Sequence, residues 1–258
     1  MNVVIIGSGN VASALVEKLA QTQIKVVQVF ARNMIEGSKI ASKVDGCSTT
    51  NDPRALCKAD MYIVAVSDGV ISTLISKIDF APDDIVVHTA GSVSMDEIGV
   101  HVRNKGVLYP LQTFSKGIDV NLKTTPFLIE ANNILTLKAV RAVAGALSDN
   151  IFEVNSEQRM RIHVAAVFAC NFINHMLVIS EQLCSSAKVD NSLLRPLVEQ
   201  TIEKAMQSER AVDVQTGPAV RNDFRTKTRH LEMLDNEPVL KNIYKILSQN
   251  IWETSKKI

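Results

Sequence analysis

The chain has 258 residues, 46% of them hydrophobic, enough to bury one large or two modest cores. Its 28 basic and 27 acidic side chains leave a formal charge of +1, which argues against a nucleic-acid or membrane-surface partner held by charge. Cys47, Cys57, Cys170 and Cys184 stand far apart with no C-x-x-C pair. That spacing suits free thiols in a reducing compartment and neither a metal site nor a disulfide framework.

The opening MNVVIIGSGN lacks a basic n-region, and its apolar run ends at Gly7, so it reads as a strand and not as a signal peptide. No later segment holds eighteen uninterrupted apolar residues, and the expectation is a cytoplasmic protein with no membrane span. Up to residue 154, short apolar runs alternate with amphipathic segments. The runs are Val3–Ile6, Lys25–Phe30, Met61–Val66, Ile85–His88, Gly106–Tyr109, Pro126–Glu130 and Ile151–Val154. Helical patterns at 11–21, 36–44, 70–78 and 135–147 separate them. Such alternation predicts an α/β fold, a doubly wound and mostly parallel Rossmann sheet.

After residue 154 strand signals stop. Asn155, with Gln158 three residues on, has the pattern of a capping box, and nothing breaks the helix before about Ala187. About 30 residues at 1.5 Å each give a rod of roughly 45 Å. Further helices are expected at 191–213, 219–235 and 238–255, with Pro196 and Pro238 in first turns. The expected division is therefore a nucleotide-binding domain over 1–154 and an all-helical domain over 155–258.

The most specific motif is VVIIGSGNVASALV, a strand, then G-x-G-x-x-A, then a helix. Gly7 permits the tight turn, Gly9 lets a pyrophosphate approach, and Ala12 allows close helix–strand packing. The N–H groups of Ser8, Gly9, Asn10 and Val11 are the expected phosphate ligands, at the positive end of the helix dipole. An NAD site usually has an acid at the end of the second strand. Here that strand runs into Arg32 and Asn33, with no acid before Glu36. A guanidinium there suits a 2′-phosphate, so the expected cofactor is NADP(H). Ser67, with Asp68, and Ser92, with Gly91, follow later strands at the same sheet edge, where ligands lie in such folds.

Several segments carry a resemblance: GSGNVASAL at 7–15, VSD at 66–68, HTAGSVS at 88–94, YPLQTFS at 109–115, PFLIEA at 126–131, HVAAVFACNFINHM at 163–176 and TGPAVRND at 216–223. Together they resemble a group of two-domain, mostly bacterial Rossmann-like oxidoreductases without an assigned substrate. That group is related to pyrroline-5-carboxylate reductases, deazaflavin-dependent NADP oxidoreductases and β-hydroxyacid dehydrogenases. The resemblance implies an NADP-binding first domain and a helical second domain beside it. Three departures stand out. Tyr109 replaces a histidine common before Pro110, and Asn222 replaces a glycine between Arg221 and Asp223. The K-x-x-x-N catalytic pattern of the hydroxyacid dehydrogenases is absent from the long helix.

Within that helix, at 100° per residue, Asn171 falls about 80° and Asn174 about 20° from His163, on one otherwise apolar face. His163 is the expected proton donor and Asn171 the expected substrate-orienting group. Arg221 and Asp223 are expected to pair and fix a loop. The leading functional reading is an NADP(H)-dependent oxidoreductase acting on a small carbonyl, imine or hydroxy-acid substrate. The second is a non-catalytic NADP(H)-binding sensor or regulatory module, favoured by the missing lysine. Either accommodates a homodimer, because so apolar a helix is seldom left exposed.

Overall fold

In a computed structural model describing residues 1–256, the chain forms two compact units, Met1–Asn171 and Phe172–Ile258. The first holds an eight-stranded sheet with strand order β3-β2-β1-β4-β5-β6-β7-β8. Its strands are β1 (Asn2–Ile6), β2 (Lys25–Phe30), β3 (Ser48–Thr50), β4 (Met61–Val64), β5 (Ile85–His88), β6 (Asn104–Pro110), β7 (Phe127–Ala131) and β8 (Ile151–Glu153). All neighbours pair in parallel except β6 and β7, which run antiparallel with Tyr109 opposite Leu128.

The central strands β1, β4 and β5 are mostly apolar and buried because helices cover both faces of a parallel sheet, leaving no solvated side for polar residues. Val3, Val4, Ile5 and Ile6 are fully buried, and two cores form, one on each face. Every anticipated strand is present. The unanticipated β3 is an edge strand of Ser48, Thr49 and Thr50, without the apolar run that marks the others.

Helices α1 (Asn10–Leu19), α2 (Met34–Ala41), α3 (Ile71–Ile75) and α4 (Ile134–Leu147) link the strands. α2 starts two residues earlier than its apolar pattern suggests because Asn33 caps it, accepting from the N–H groups of Ile35 and Glu36. α5 (Ser156–Ala166) opens on the expected capping box. Asn155 accepts from the Gln158 N–H at 2.8 Å, and Gln158 Oε1 accepts from the Asn155 N–H at 3.0 Å.

The helical run continues through a π turn, Val167–Phe172, into α6 (Ile173–Ser186). A π turn accommodates an extra residue, so phase counted at 100° per residue slips by about one residue's worth beyond Val167. The slip carries Asn171 toward the side of His163 and Asn174 away from it; in the single chain His163 is half-buried, whereas Asn171 is exposed.

The second unit comprises α6, α7 (Arg195–Gln207), α8 (Phe224–Met233) and α9 (Pro238–Ser255), with Pro196 and Pro238 in first turns. Asn222 takes a left-handed φ of 50°, a conformation asparagine tolerates, so the turn survives the loss of glycine. Asp223 does not form the expected ion pair with Arg221 among the described residues. Its carboxylate caps α8 by accepting from the Thr226 N–H and hydroxyl, and those bonds hold its pKa below the ordinary value. Asn174 and His175 are exposed on this unit.

Candidate functional site

At the carboxyl ends of β1 and β4, neighbours where the strand order turns back, a cleft of about 930 Å³ opens. It is lined from Arg32 and Asn33 after β2, past residues 7–11, to Ala65–Asp68 after β4, Thr89–Gly91 after β5, and Tyr109 on β6 with His163. Five adjacent strand ends spaced roughly 4.8 Å apart make it about 19 Å long.

The glycine turn is built as the motif requires. Gly7 has φ +136°, and a Cβ there would meet the Ala65 carbonyl oxygen at 2.1 Å, so no side chain fits. Gly9 is different: it is the N-cap of α1, makes no side-chain cap, and a Cβ on it would meet nothing within 4 Å. Open space and uncapped N–H groups at a helix start are what a pyrophosphate needs. Asn10 is braced by a bond from its Nδ2 to the Phe114 carbonyl at 3.0 Å. Ala12 is fully buried beneath the turn. Arg32 and Asn33 are exposed at the β2 end, Asn33 already engaged as the α2 cap. The donor set thus fits a dinucleotide, with a guanidinium where a 2′-phosphate would lie.

At the other end two side chains meet over Gly91. Tyr109 Oη lies 2.9 Å from His163 Nδ1, with the rings edge to face at 5.9 Å between centroids. A Cβ on Gly91 would stand 2.7 Å from both His163 Nδ1 and Tyr109 Cζ, so only glycine lets the pair close over the loop. Burial, followed by the Asp68 carboxylate, raises the Tyr109 pKa above its ordinary value, against the opposing pull of Arg159. The phenol is thus a proton-bearing group at neutral pH. Ser67 lines the cleft; Ser92 does not, but its hydroxyl donates to Asp68 Oδ2. Asn171 is not part of the lining.

A buried ion pair supports this end. Arg159, four residues before His163 and wholly buried, pairs with Glu130 on β7 and donates to the Val93 carbonyl at 2.5 Å. Glu130 also accepts from the Ser156 N–H and hydroxyl, and Ser156 Oγ accepts from the Met95 N–H. The cluster ties the 91–95 loop, the start of α5 and β7 together. Spacing alone hides it, because an arginine and a glutamate 29 residues apart carry no pairing signal.

His88, fully buried at the end of β5, accepts from the Ala90 N–H through Nδ1 at 3.2 Å. Burial, then the Arg159 charge, lowers its pKa from 6.5 to about 4. Between those values the unfolded chain binds a proton that the folded chain refuses, so stability falls as pH drops through this window. Acidification from pH 7 to 4 should remove about 3 kcal/mol through this residue. Urea unfolding of the native chain and His88→Leu checks it: the variant should lose that much less between the two pH values. Parallel pH curves would rule it out.

Residues 2–91 match the family described as NADP oxidoreductase coenzyme F420-dependent, and residues 125–251 match a domain of unknown function (DUF2520). No curated protein matches the chain. Among solved structures, a protein of Bacteroides fragilis described as a candidate NADP oxidoreductase is 35% identical, with a TM-score of 0.87 over 98% of each chain. A Thermotoga maritima protein is 18% identical with a TM-score of 0.73, covering 99% of this chain and 98% of its own. A 1-pyrroline-5-carboxylate reductase of Streptococcus pyogenes is 14% identical with a TM-score of 0.63, covering 100% and 99%. The last two show likeness of fold alone. With the glycine turn, the open helix start and these matches together, the chain belongs to the two-domain family of NADP oxidoreductases that joins a nucleotide-binding domain of the coenzyme F420-dependent type to DUF2520, and its cofactor is NAD(P)(H).

Proposed function

We propose that the chain transfers hydride between NADP(H), in preference to NAD(H), and a small carbonyl, imine or hydroxy-acid substrate, with His163 as the proton source. The supporting observation is the Tyr109–His163 pair, which lines the same cleft as the uncapped start of α1. In this reading the N–H groups of residues 8–11 hold the pyrophosphate, Arg32 and Asn33 hold the 2′-phosphate, Ser67 borders the substrate end, and Ser92 acts there through its bond to Asp68. The bound dinucleotide supplies hydride donation or acceptance. With its Nδ1 protonated, His163 donates to Tyr109 Oη, which leaves the phenol proton free for a substrate atom. Gly91 keeps the two rings in contact, and the buried Arg159–Glu130 pair holds the helix and loop that carry them.

The helical run Ser156–Ser186 is long and apolar enough to cross a membrane, and its side chains Val164, Phe168, Ile173, Val178 and Leu183 are exposed in the single chain. We read this run as covered by a second copy in a cytoplasmic homodimer. Asn171, exposed on it, then acts only within that assembly.

Arg32 provides the test of cofactor choice. Arg32→Ala should weaken NADPH binding by roughly 10- to 100-fold, the loss of a charge-assisted contact to phosphate, and leave NADH binding nearly unchanged. Titrating both cofactors into both proteins by intrinsic fluorescence measures this. Tighter NADH binding by the native chain would overturn the assignment.

A further inference from the structure

We propose, resting on the reading of the cleft above, that the substrate carries positive charge at its reacting end, as a protonated imine or the amine derived from it, and that Asp68 selects it. The charged side chains lining the cleft are Arg32, Lys77 and Asp68, together with the ionisable His163. Arg32 follows β2, whereas Asp68 follows β4 and is bonded to Ser92, next to Gly91, over which Tyr109 and His163 meet. The Asp68 carboxylate accepts from the Ser92 hydroxyl, and among the described residues it forms no ion pair with a lysine or arginine. Its charge is felt at Tyr109 and at His88. The nearby cation, Arg159, is paired with Glu130, though its charge still acts on His88 and Tyr109. Among the described residues Asp68 is thus the one carboxylate in the cleft lining and carries no salt bridge, which favours a cation at this end over a carboxylate.

The chemistry follows. An imine that arrives neutral takes its proton from the Tyr109–His163 pair, and Asp68 stabilises the iminium ion so formed or bound. Hydride from NADPH adds to the carbon, the C=N π pair becomes the nitrogen lone pair, and NADP⁺ and the amine result. His163 recovers its proton from water.

Calorimetry on the full chain loaded with NADP⁺ tests the selection with two probes of matched ring size, cyclohexylamine and cyclohexanecarboxylate. The amine should bind and the carboxylate should not. Asp68→Asn should weaken amine binding on the order of tenfold, with Asp68→Glu restoring part of it. Carboxylate binding as tight as that of the amine, or amine affinity unmoved by Asp68→Asn, would overturn the inference. If NADP⁺ itself fails to bind, the reading of the cleft falls as well; if it binds and the amine does not, the substrate class alone is wrong.

Discussion

Gly91→Ala should lower turnover of any substrate that the native chain reduces by about 100-fold, while NADPH affinity changes little. The added methyl would sit 2.7 Å from His163 Nδ1 and from Tyr109 Cζ, inside van der Waals contact with two rings that already touch. One ring must therefore move by about an ångström, and displacement of that size in a reacting constellation costs rate on this scale. Overpacking should also cost roughly 1–3 kcal/mol of stability, read by urea unfolding. Gly9 lies elsewhere on the cleft with open space around it, so the phosphate end is not disturbed by this change. Native turnover in Gly91→Ala would mean that the Tyr109–His163 contact has no part in the chemistry.

The largest loss of stability is expected from Arg159→Leu, about 3–5 kcal/mol, as for a buried ion pair deprived of one member. Arg159 is fully buried and Glu130 is only 13% exposed, so solvent cannot take over the abandoned carboxylate. The Val93 carbonyl loses its donor as well. Replacing both partners, in Arg159→Leu with Glu130→Leu, should recover part of the loss, because the isolated charge is what is costly. Denaturant midpoints of the native, single and double variants measure the three values. A single variant within about 0.5 kcal/mol of the native chain would show that the pair holds nothing in place.

The difference between these two sites and the glycine turn shows what a sequence reveals. Gly7, Gly9 and Ala12 are legible because their roles are local, set by backbone conformation and close approach within one strand–turn–helix. The strands are legible as apolar runs because burial on both faces leaves no place for polar residues. The capping box at Asn155 and Gln158 is equally local. β3 escapes notice because an edge strand of serine and threonine has no apolar signature.

The other end of the cleft depends on residues that are distant in sequence. Tyr109 shows in the sequence only as a replacement for histidine; its contact with His163, which makes it a proton-bearing partner, is created by the fold across 54 residues. Uniform helical phase places Asn171 about 80° and Asn174 about 20° from His163, and the π turn at Val167–Phe172 shifts both, Asn171 toward His163 and Asn174 away from it. A π turn has no compositional mark; the stretch VFACNF reads as ordinary helix. Asp68 was visible as a loop acid after a strand, but its bond from Ser92 required the third dimension.

A crystal structure of the full chain with NADP⁺ should show the 2′-phosphate at Arg32 and the pyrophosphate on the N–H groups of residues 8–11. The nicotinamide should lie over Gly91 within reach of Tyr109 and His163, and the 156–186 helical run should be buried against a second copy. A dinucleotide bound with its nicotinamide away from Gly91, or seated outside the cleft, would contradict this reading of the cleft.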